Sequence, residues 1–237
     1  MSAFSIARNV LQNVASKYGL QIERKYDFGV YRLDVLELLV ERVGPRDPDF
    51  FVIQVGANDG EENDPINQMI RRYNWRGILL EPQPDVFRSL VKNYNGYDHL
   101  IFENAALASS DGELPFFTIP GQTGLGSFDK AVLHRSGFKD SAIVKGKVAA
   151  ITASTLLKKH HVERVDLLQV DTEGFDFEVI KMILSANIRP KIINYEHLHL
   201  SNVDRAACVD MLGSLGYKML QAGPLRIDTV AFYTPLR

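Results

Sequence analysis

The sequence predicts an α/β fold in which a mostly parallel sheet alternates with helices. Three short apolar runs support this prediction: residues 50–55, 77–80 and 165–171. Each has the composition of a strand buried on both faces, and each is followed by a turn and a helical pattern. The runs end in glycine or acidic residues, so we expect polar groups to gather at the carboxyl edge of the sheet, where such folds bind ligands.

Composition limits the possible classes of protein. The chain has 237 residues, a net charge of −2 and 46% hydrophobic residues, which suits one α/β domain with a small extension. A basic excess is lacking, so nucleic acid is not an expected partner. The single Cys208 excludes an internal disulfide and a multi-cysteine zinc site. Neither a signal peptide nor an apolar run of about 18 residues is recognised, so we expect a cytoplasmic protein without stable membrane insertion.

The N-terminal part is expected to be a helical extension over residues 1–48, preceding the main domain at residues 49–237. Apolar residues at helical spacing predict helices over about 1–18 and 32–43, and Gly-Pro and Asp-Pro pairs then interrupt the chain. These helices are expected to cap the core or to join two copies in a homodimer. The first helix has too few basic residues for a strong membrane anchor.

A tight turn follows the first predicted strand, between Gly56 and Gly60. Gly56 permits close approach of a ligand to the backbone, and Asn58 is the residue type besides glycine that best tolerates positive φ. The second strand ends at Glu81-Pro82, 25 residues after Gly56. An acid at about this spacing can accept hydrogen bonds from ribose hydroxyls. A plain structural turn and a solvent-facing acid remain the alternatives.

The segment after the turn is strongly acidic, with Glu61, Glu62 and Asp64 before a predicted helix over residues 65–73. Asp64 is the expected N-cap and Pro65 the first helical residue. These acids disfavour a bound diphosphate, such as that of NAD. They favour S-adenosylmethionine, which carries a sulfonium cation and no phosphate.

The third predicted strand, residues 100–104, ends at Asn104 and is followed by Ala105 and Ala106. Their small size leaves room for a flat ring such as adenine, and ordinary packing is the alternative. Short strands are predicted at 114–119 and 148–151. The polar segment between them, up to residue 147, is expected to be an irregular flap that closes over substrate.

Two further strand ends carry titratable groups. Asp171 and Glu173 follow the strand at 165–171, and Glu196 and His197 follow a strand at 192–195. Acids at one edge can act as a general base, steer a sulfonium or hold a cation, with Asp171 and Glu196 as tentative Mg²⁺ ligands. The alternative for Asp171 and Glu173 is that they only stabilise the start of a helix, and the alternative for His197 is a structural role. Two last strands, 217–221 and 227–233, predict an antiparallel hairpin.

Five segments within residues 50–200 resemble the FkbM family of class I S-adenosylmethionine-dependent methyltransferases. They read FFVIQVGANDG, GILLEPQPDVFRSL, FENAALASSDGELPFF, VDLLQVDTEGFDFEVI and IINYEHLHL. The Glu-Pro pair and the Asp-x-Glu-Gly turn are the more specific marks, and the acidic stretch 59–64 departs from the pattern. The resemblance implies a Rossmann-like fold whose seven-stranded, mostly parallel sheet ends in an antiparallel hairpin.

The resemblance also implies a reaction, methyl transfer to a hydroxyl of a sugar, glycan or natural product. The catalytic candidates are Asp171, Glu173 and His197. The expected cofactor-binding residues are Gly56, Ala57, Asn58, Asp59, Gly60, Glu81, Pro82, Asn104, Ala105, Ala106 and Asp171. A nicotinamide-dependent oxidoreductase is an alternative, although the turn lacks the G-x-G-x-x-G pattern. A non-catalytic cofactor-binding domain is another.

Overall fold

The computed structural model describes residues 35–43, 47, 49–222 and 227–233. The helix expected over residues 1–18 lies outside the described residues, and so does most of the extension assigned to 1–48. Helix α1, Val35–Val43, agrees with the second predicted helix. It packs against the part of the main sheet formed by the last strands of the chain.

The main sheet has seven strands, and five of them are parallel. These are β1 (Phe51–Val55), β2 (Arg76–Leu80), β3 (Leu100–Glu103), β8 (Leu167–Val170) and β9 (Ile192–Glu196), followed by the antiparallel pair β10 (Tyr217–Ala222) and β11 (Asp228–Tyr233). Their spatial order is β10-β11-β9-β8-β1-β2-β3. The predicted fold is therefore confirmed, including the C-terminal hairpin.

Helices cover both faces of this sheet, which explains why its central strands are mostly apolar. One face packs against α1, α2 (Asn67–Tyr73) and α3 (Pro84–Asn93). The other packs against α5 (Ala153–Lys159), α6 (Asp176–Ser185) and α7 (Asn202–Ser214). Strands β1 and β8 are almost completely buried between these layers, and their carboxyl ends open into one region.

The segment over residues 120–147 was expected to be an irregular flap, but most of it is strand or helix, so the predicted irregularity is wrong. Two of its strands belong to a second sheet. The strands of this sheet are β4 (Ala106–Leu107), β5 (Gly112–Ile119), β6 (Gln122–Ser127) and β7 (Val144–Ile151), in the order β4-β7-β5-β6. Helix α4, Lys130–Arg135, and a short 3₁₀ turn at Asp140–Ala142 join β6 to β7. Much of β6 and β7 is exposed, so their sequences lack the apolar alternation that predicts a strand.

Helix α2 begins two residues later than the sequence suggests. Asp64 Oδ1 accepts hydrogen bonds from the Ile66 and Asn67 amides, at 2.8 and 3.0 Å, within the turn before the helix. Ile66 stands at the N-cap position without a side-chain cap bond. Asp64 therefore organises the loop between the glycine turn and α2 rather than capping the helix.

Candidate active site

A cleft of about 1000 Å³, including space open to solvent, lies at the carboxyl ends of β1, β2 and β8. Nine of the residues expected at the active site line it: Gly56, Ala57, Asn58, Glu81, Pro82, Ala105, Ala106, Asp171 and Glu173. They come from the loops after four different strands, and the order of the sheet brings them together. The second sheet adds a wall through residues 116, 123, 124 and 126.

The glycine turn passes directly over the end of β8. Gly56 has φ +80°, and a Cβ atom placed on it would lie 1.8 Å from the Asp171 carbonyl oxygen. The Gly56 and Ala57 amides both donate hydrogen bonds to the Leu80 carbonyl, at 3.0 and 2.9 Å. The positive φ of Gly56 and its close approach to the Asp171 carbonyl both exclude a side chain, so glycine is required at this point of the turn.

Asn58 and Glu81 are joined across the cleft. Asn58 has φ 47°, as expected for this residue type, and its amide donates to Glu81 Oε2 at 3.1 Å. Glu81 Oε1 accepts from the Gln83 amide at 2.9 Å. Burial raises the pKa of Glu81 to about 7, although both hydrogen bonds oppose the shift. Each carboxylate oxygen keeps acceptor capacity for a ligand hydroxyl.

Three predicted cofactor-binding residues do not line the cleft, and they shape its loops from behind. Asp59 Oδ1 accepts from the amides of residues 61 and 62, both at 2.9 Å. Gly60 lies against the Tyr94 ring, which a Cβ atom would approach to 2.5 Å. Asn104 donates through Nδ2 to the Glu81 carbonyl at 2.8 Å. They contact the loops of the cleft rather than its lining, and their assignment as cofactor-binding residues stays a prediction.

A row of buried amide side chains lies beneath the cleft and was missed in the sequence. Gln54, Gln169 and Asn194 are register partners on β1, β8 and β9, and Asn194 Nδ2 donates to Gln169 Oε1 at 2.7 Å. Gln54 and Gln169 reach the cleft lining. Within the described part of the chain, Gln54 Oε1 and Asp64 Oδ2 are buried without a hydrogen-bond partner. A glutamine inside both apolar runs, FVIQV and LLQV, was the available signal.

The cleft is strongly acidic on the β8 side. Burial raises the pKa of Asp171 to about 6, that of Asp176 to about 7 and that of Glu173 to about 8, and neighbouring carboxylates add to each shift. Asp176 was not predicted; its Oδ2 accepts from Thr172 Oγ1 at 3.1 Å and from the Gly174 amide at 3.2 Å. The Asp171 side chain is exposed to solvent through the cleft, and with a pKa of about 6 it is mostly ionised at neutral pH.

The structure does not place His197, a catalytic candidate from the sequence, in the cleft lining. His197 is buried outside the cleft lining, and its Nδ1 lies 2.8 Å from Thr229 Oγ1. His199 takes its place: its Nε2 lies 3.1 Å from Glu173 Oε2 and 4.0 Å from Glu196 Oε2. Successive side chains at a strand end point to opposite faces, which separates Glu196 from the adjacent histidine.

Two comparisons with known proteins give matches. The family model described as "Methyltransferase FkbM domain" matches residues 54–219, well over half of the chain. The solved FkbM methyltransferase from Methylobacillus flagellatus KT is 12% identical and has a TM-score of 0.49. The match covers 90% of this chain and 48% of that one. No curated protein matches this chain.

Other similar structures are also distant. Aeropyrum pernix fibrillarin, in complex with natively bound S-adenosyl-L-methionine, is 12% identical, with 79% of this chain and 67% of that one covered and a TM-score of 0.44. An RNA methyltransferase from Salinibacter ruber, in complex with S-adenosyl-L-homocysteine, is 14% identical, with 86% and 92% covered and a TM-score of 0.40. Such low scores add nothing to the family match and the sheet order.

The strand order and the cleft at the centre of the sheet define a Rossmann-like methyltransferase fold. With the match over residues 54–219, the chain belongs to the FkbM family of S-adenosylmethionine-dependent methyltransferases. Among the described residues, none of the helices is both long and apolar enough to cross a bilayer.

Proposed function

We propose that this protein transfers a methyl group from S-adenosylmethionine to a hydroxyl of a small molecule or glycan. The observation that carries the proposal is the convergence of the Gly56 turn, the Glu81 carboxylate and Asp171 in one cleft. The turn exposes backbone at close range, and the carboxylate can accept the two ribose hydroxyls.

The remaining cleft residues fit the other parts of the cofactor. Ala105 and Ala106 leave space beside Phe116 for a flat ring, which suits adenine. The methionine portion would lie along the turn at residues 56–58. Its amino group would lie near Gln54 Oε1 and Asp64 Oδ2, two buried oxygens that have no hydrogen-bond partner in the described part of the chain. This match of a donor group to orphaned acceptors supports the cofactor on chemical grounds.

Charge distinguishes this proposal from a nicotinamide-dependent oxidoreductase. Glu62, Asp64 and Asp171 all line the cleft, where they would repel a diphosphate and attract a sulfonium. A non-catalytic cofactor-binding domain is the second alternative. Asp171 argues against this alternative, because it lines the cleft and can act as a base there.

In an O-methyl transfer the acceptor oxygen forms a bond to the methyl carbon, the bond from that carbon to sulfur breaks, and the hydroxyl proton leaves. The residues of this chain align the two reactants and take up the proton. Asp171 is the proposed base because it lines the cleft next to the Gly56 turn and is exposed to solvent. His197 lies outside the cleft lining, so its assignment as base stays a prediction without support from its position, as does Mg²⁺ bound by Asp171 and Glu196.

Calorimetric titration with S-adenosylhomocysteine, against an NAD⁺ control, tests the cofactor. We expect S-adenosylhomocysteine to bind and NAD⁺ not to bind; the opposite result would overturn the proposal. Transfer of a labelled methyl group to a panel of glycosides and other polyols then tests the reaction. Asp171→Asn should reduce turnover at least about 100-fold, as expected for loss of a general base. Asp210→Asn, an exposed acid on α7, is the matched control and should not.

A further inference from the structure

Three potential ligand atoms meet at the edge of the cleft. They belong to Glu173, in the turn after β8, and to Glu196 and His199, at and beyond the end of β9. All three atoms lie within 4.8 Å of one another. Glu173 lines the cofactor cleft, and His199 lines a neighbouring surface depression formed with Arg135 and residues 198–202. The cluster therefore separates two openings.

Two of the three separations fit ligands of a single ion, and the third is no more than 4.8 Å. Carboxylate oxygens and imidazole nitrogens bind Zn²⁺ at about 2.0–2.2 Å, so two ligands of one ion lie no more than about 4.4 Å apart. His199 Nε2 is 3.1 Å from Glu173 Oε2 and 4.0 Å from Glu196 Oε2. An ion between them reaches all three with small side-chain adjustments.

A second, independent observation concerns hydrogen bonding. Glu196 is 8% exposed, and within the described part of the chain its Oε2 has no hydrogen-bond partner. Glu173 Oε2 is also buried, and its contact with His199 Nε2 at 3.1 Å has an ion-pair distance without hydrogen-bond geometry. A buried carboxylate oxygen without a partner is costly, and one such atom demands an explanation. Glu173 also adopts φ 51°, an unfavourable backbone conformation for a residue with a long side chain.

We propose that Glu173, Glu196 and His199 bind a divalent cation at the edge of the cleft. Two carboxylates and one imidazole form a mixed oxygen and nitrogen donor set, which favours Mn²⁺ or Zn²⁺ over Mg²⁺. Three protein ligands leave positions open toward the two cavities. If the proposed methyl transfer is correct, on which this part rests, the open positions hold oxygens of an acceptor with neighbouring hydroxyls.

Metal binding is tested without reference to activity. Full-length protein is freed of metal with a chelator, Mn²⁺ alone is added, and free Mn²⁺ is measured by electron paramagnetic resonance. We expect one equivalent to bind and Zn²⁺ to displace it. Glu196→Gln and His199→Ala should each weaken binding at least tenfold, whereas Glu113→Gln, an exposed acid on β5, should leave binding unchanged.

Absence of Mn²⁺ binding, or equal binding by the wild type and both variants, overturns the proposal. Thermal unfolding of each variant checks that it is folded. His199 is partly exposed, so we expect His199→Ala to keep the fold. Affinity for S-adenosylhomocysteine is measured on the same samples. If the wild type binds S-adenosylhomocysteine but not Mn²⁺, the metal site alone is refuted. If the wild type does not bind S-adenosylhomocysteine, the proposed function is refuted.

Discussion

The pKa of Glu81 makes cofactor binding depend on pH. Burial raises this pKa from 4.5 to about 7, while the amides of Asn58 and Gln83 donate to its two oxygens. The ionised carboxylate accepts hydrogen bonds at both oxygens, whereas the protonated acid loses acceptor capacity at one of them. A ribose that requires two acceptors therefore binds the ionised form more tightly, and affinity should rise with pH.

The size of the effect follows from the fraction of Glu81 that is ionised. With a pKa of about 7, roughly one-tenth is ionised at pH 6 and roughly nine-tenths at pH 8. If only the ionised form binds, affinity for S-adenosylhomocysteine increases about tenfold over this interval. Binding below pH 7 also releases close to one proton per ligand, because the ligand selects the ionised form.

Calorimetry at several pH values, in two buffers with different ionisation enthalpies, measures both quantities. Glu81→Gln should bind more weakly and lose the part of the pH dependence that belongs to Glu81. Titration of the ligand or of other acids in the cleft affects both proteins and cancels in the comparison. Glu113→Gln is the control for the substitution. Equal pH dependence in the wild type and Glu81→Gln would refute the reasoning.

Two further substitutions test how the cleft and its sheet are built. Gly56→Ala places a Cβ atom 1.8 Å from the Asp171 carbonyl, so the turn must move; we expect at least tenfold weaker binding of S-adenosylhomocysteine by a folded protein, and wild-type affinity would contradict this. Asp166→Ala removes a buried carboxylate whose Oδ1 lies 2.7 Å from both Arg164 and Lys191. Urea denaturation should show a loss of about 3 kcal/mol, and a loss below about 1 kcal/mol would argue against a stabilising role.

The parallel part of the fold could be predicted because its signals are local. The residues of β1, β2 and β8 are mostly apolar and buried, and the Gly56 turn and the Asp171 turn mark where strands β1 and β8 end. A strand that contributes to a buried central sheet shows this in its own composition. The position of the cofactor candidates Gly56, Asn58 and Glu81 in one cleft follows from the parallel order of these strands.

The second sheet could not be predicted in the same way. Strands β6 and β7 have mostly exposed or half-buried residues, and β6, QTGLGS, contains two glycines, so its composition indicates a loop. Pairing with β5 stabilises both strands through backbone hydrogen bonds, which composition does not record. The sequence therefore did not predict that this sheet forms a wall of the cleft; only the structure shows it.

By itself, the sequence determined the parallel sheet, the glycine turn and the acids at its carboxyl edge, because buried strands and tight turns impose their residue types locally. Only the tertiary structure decided which titratable groups meet. Adjacent residues Glu196 and His197 are separated by the alternation of side chains, whereas Glu173 and His199, 26 positions apart, lie 3.1 Å from each other. Contacts of this kind depend on the packing of β8 beside β9, which no single stretch of the chain encodes.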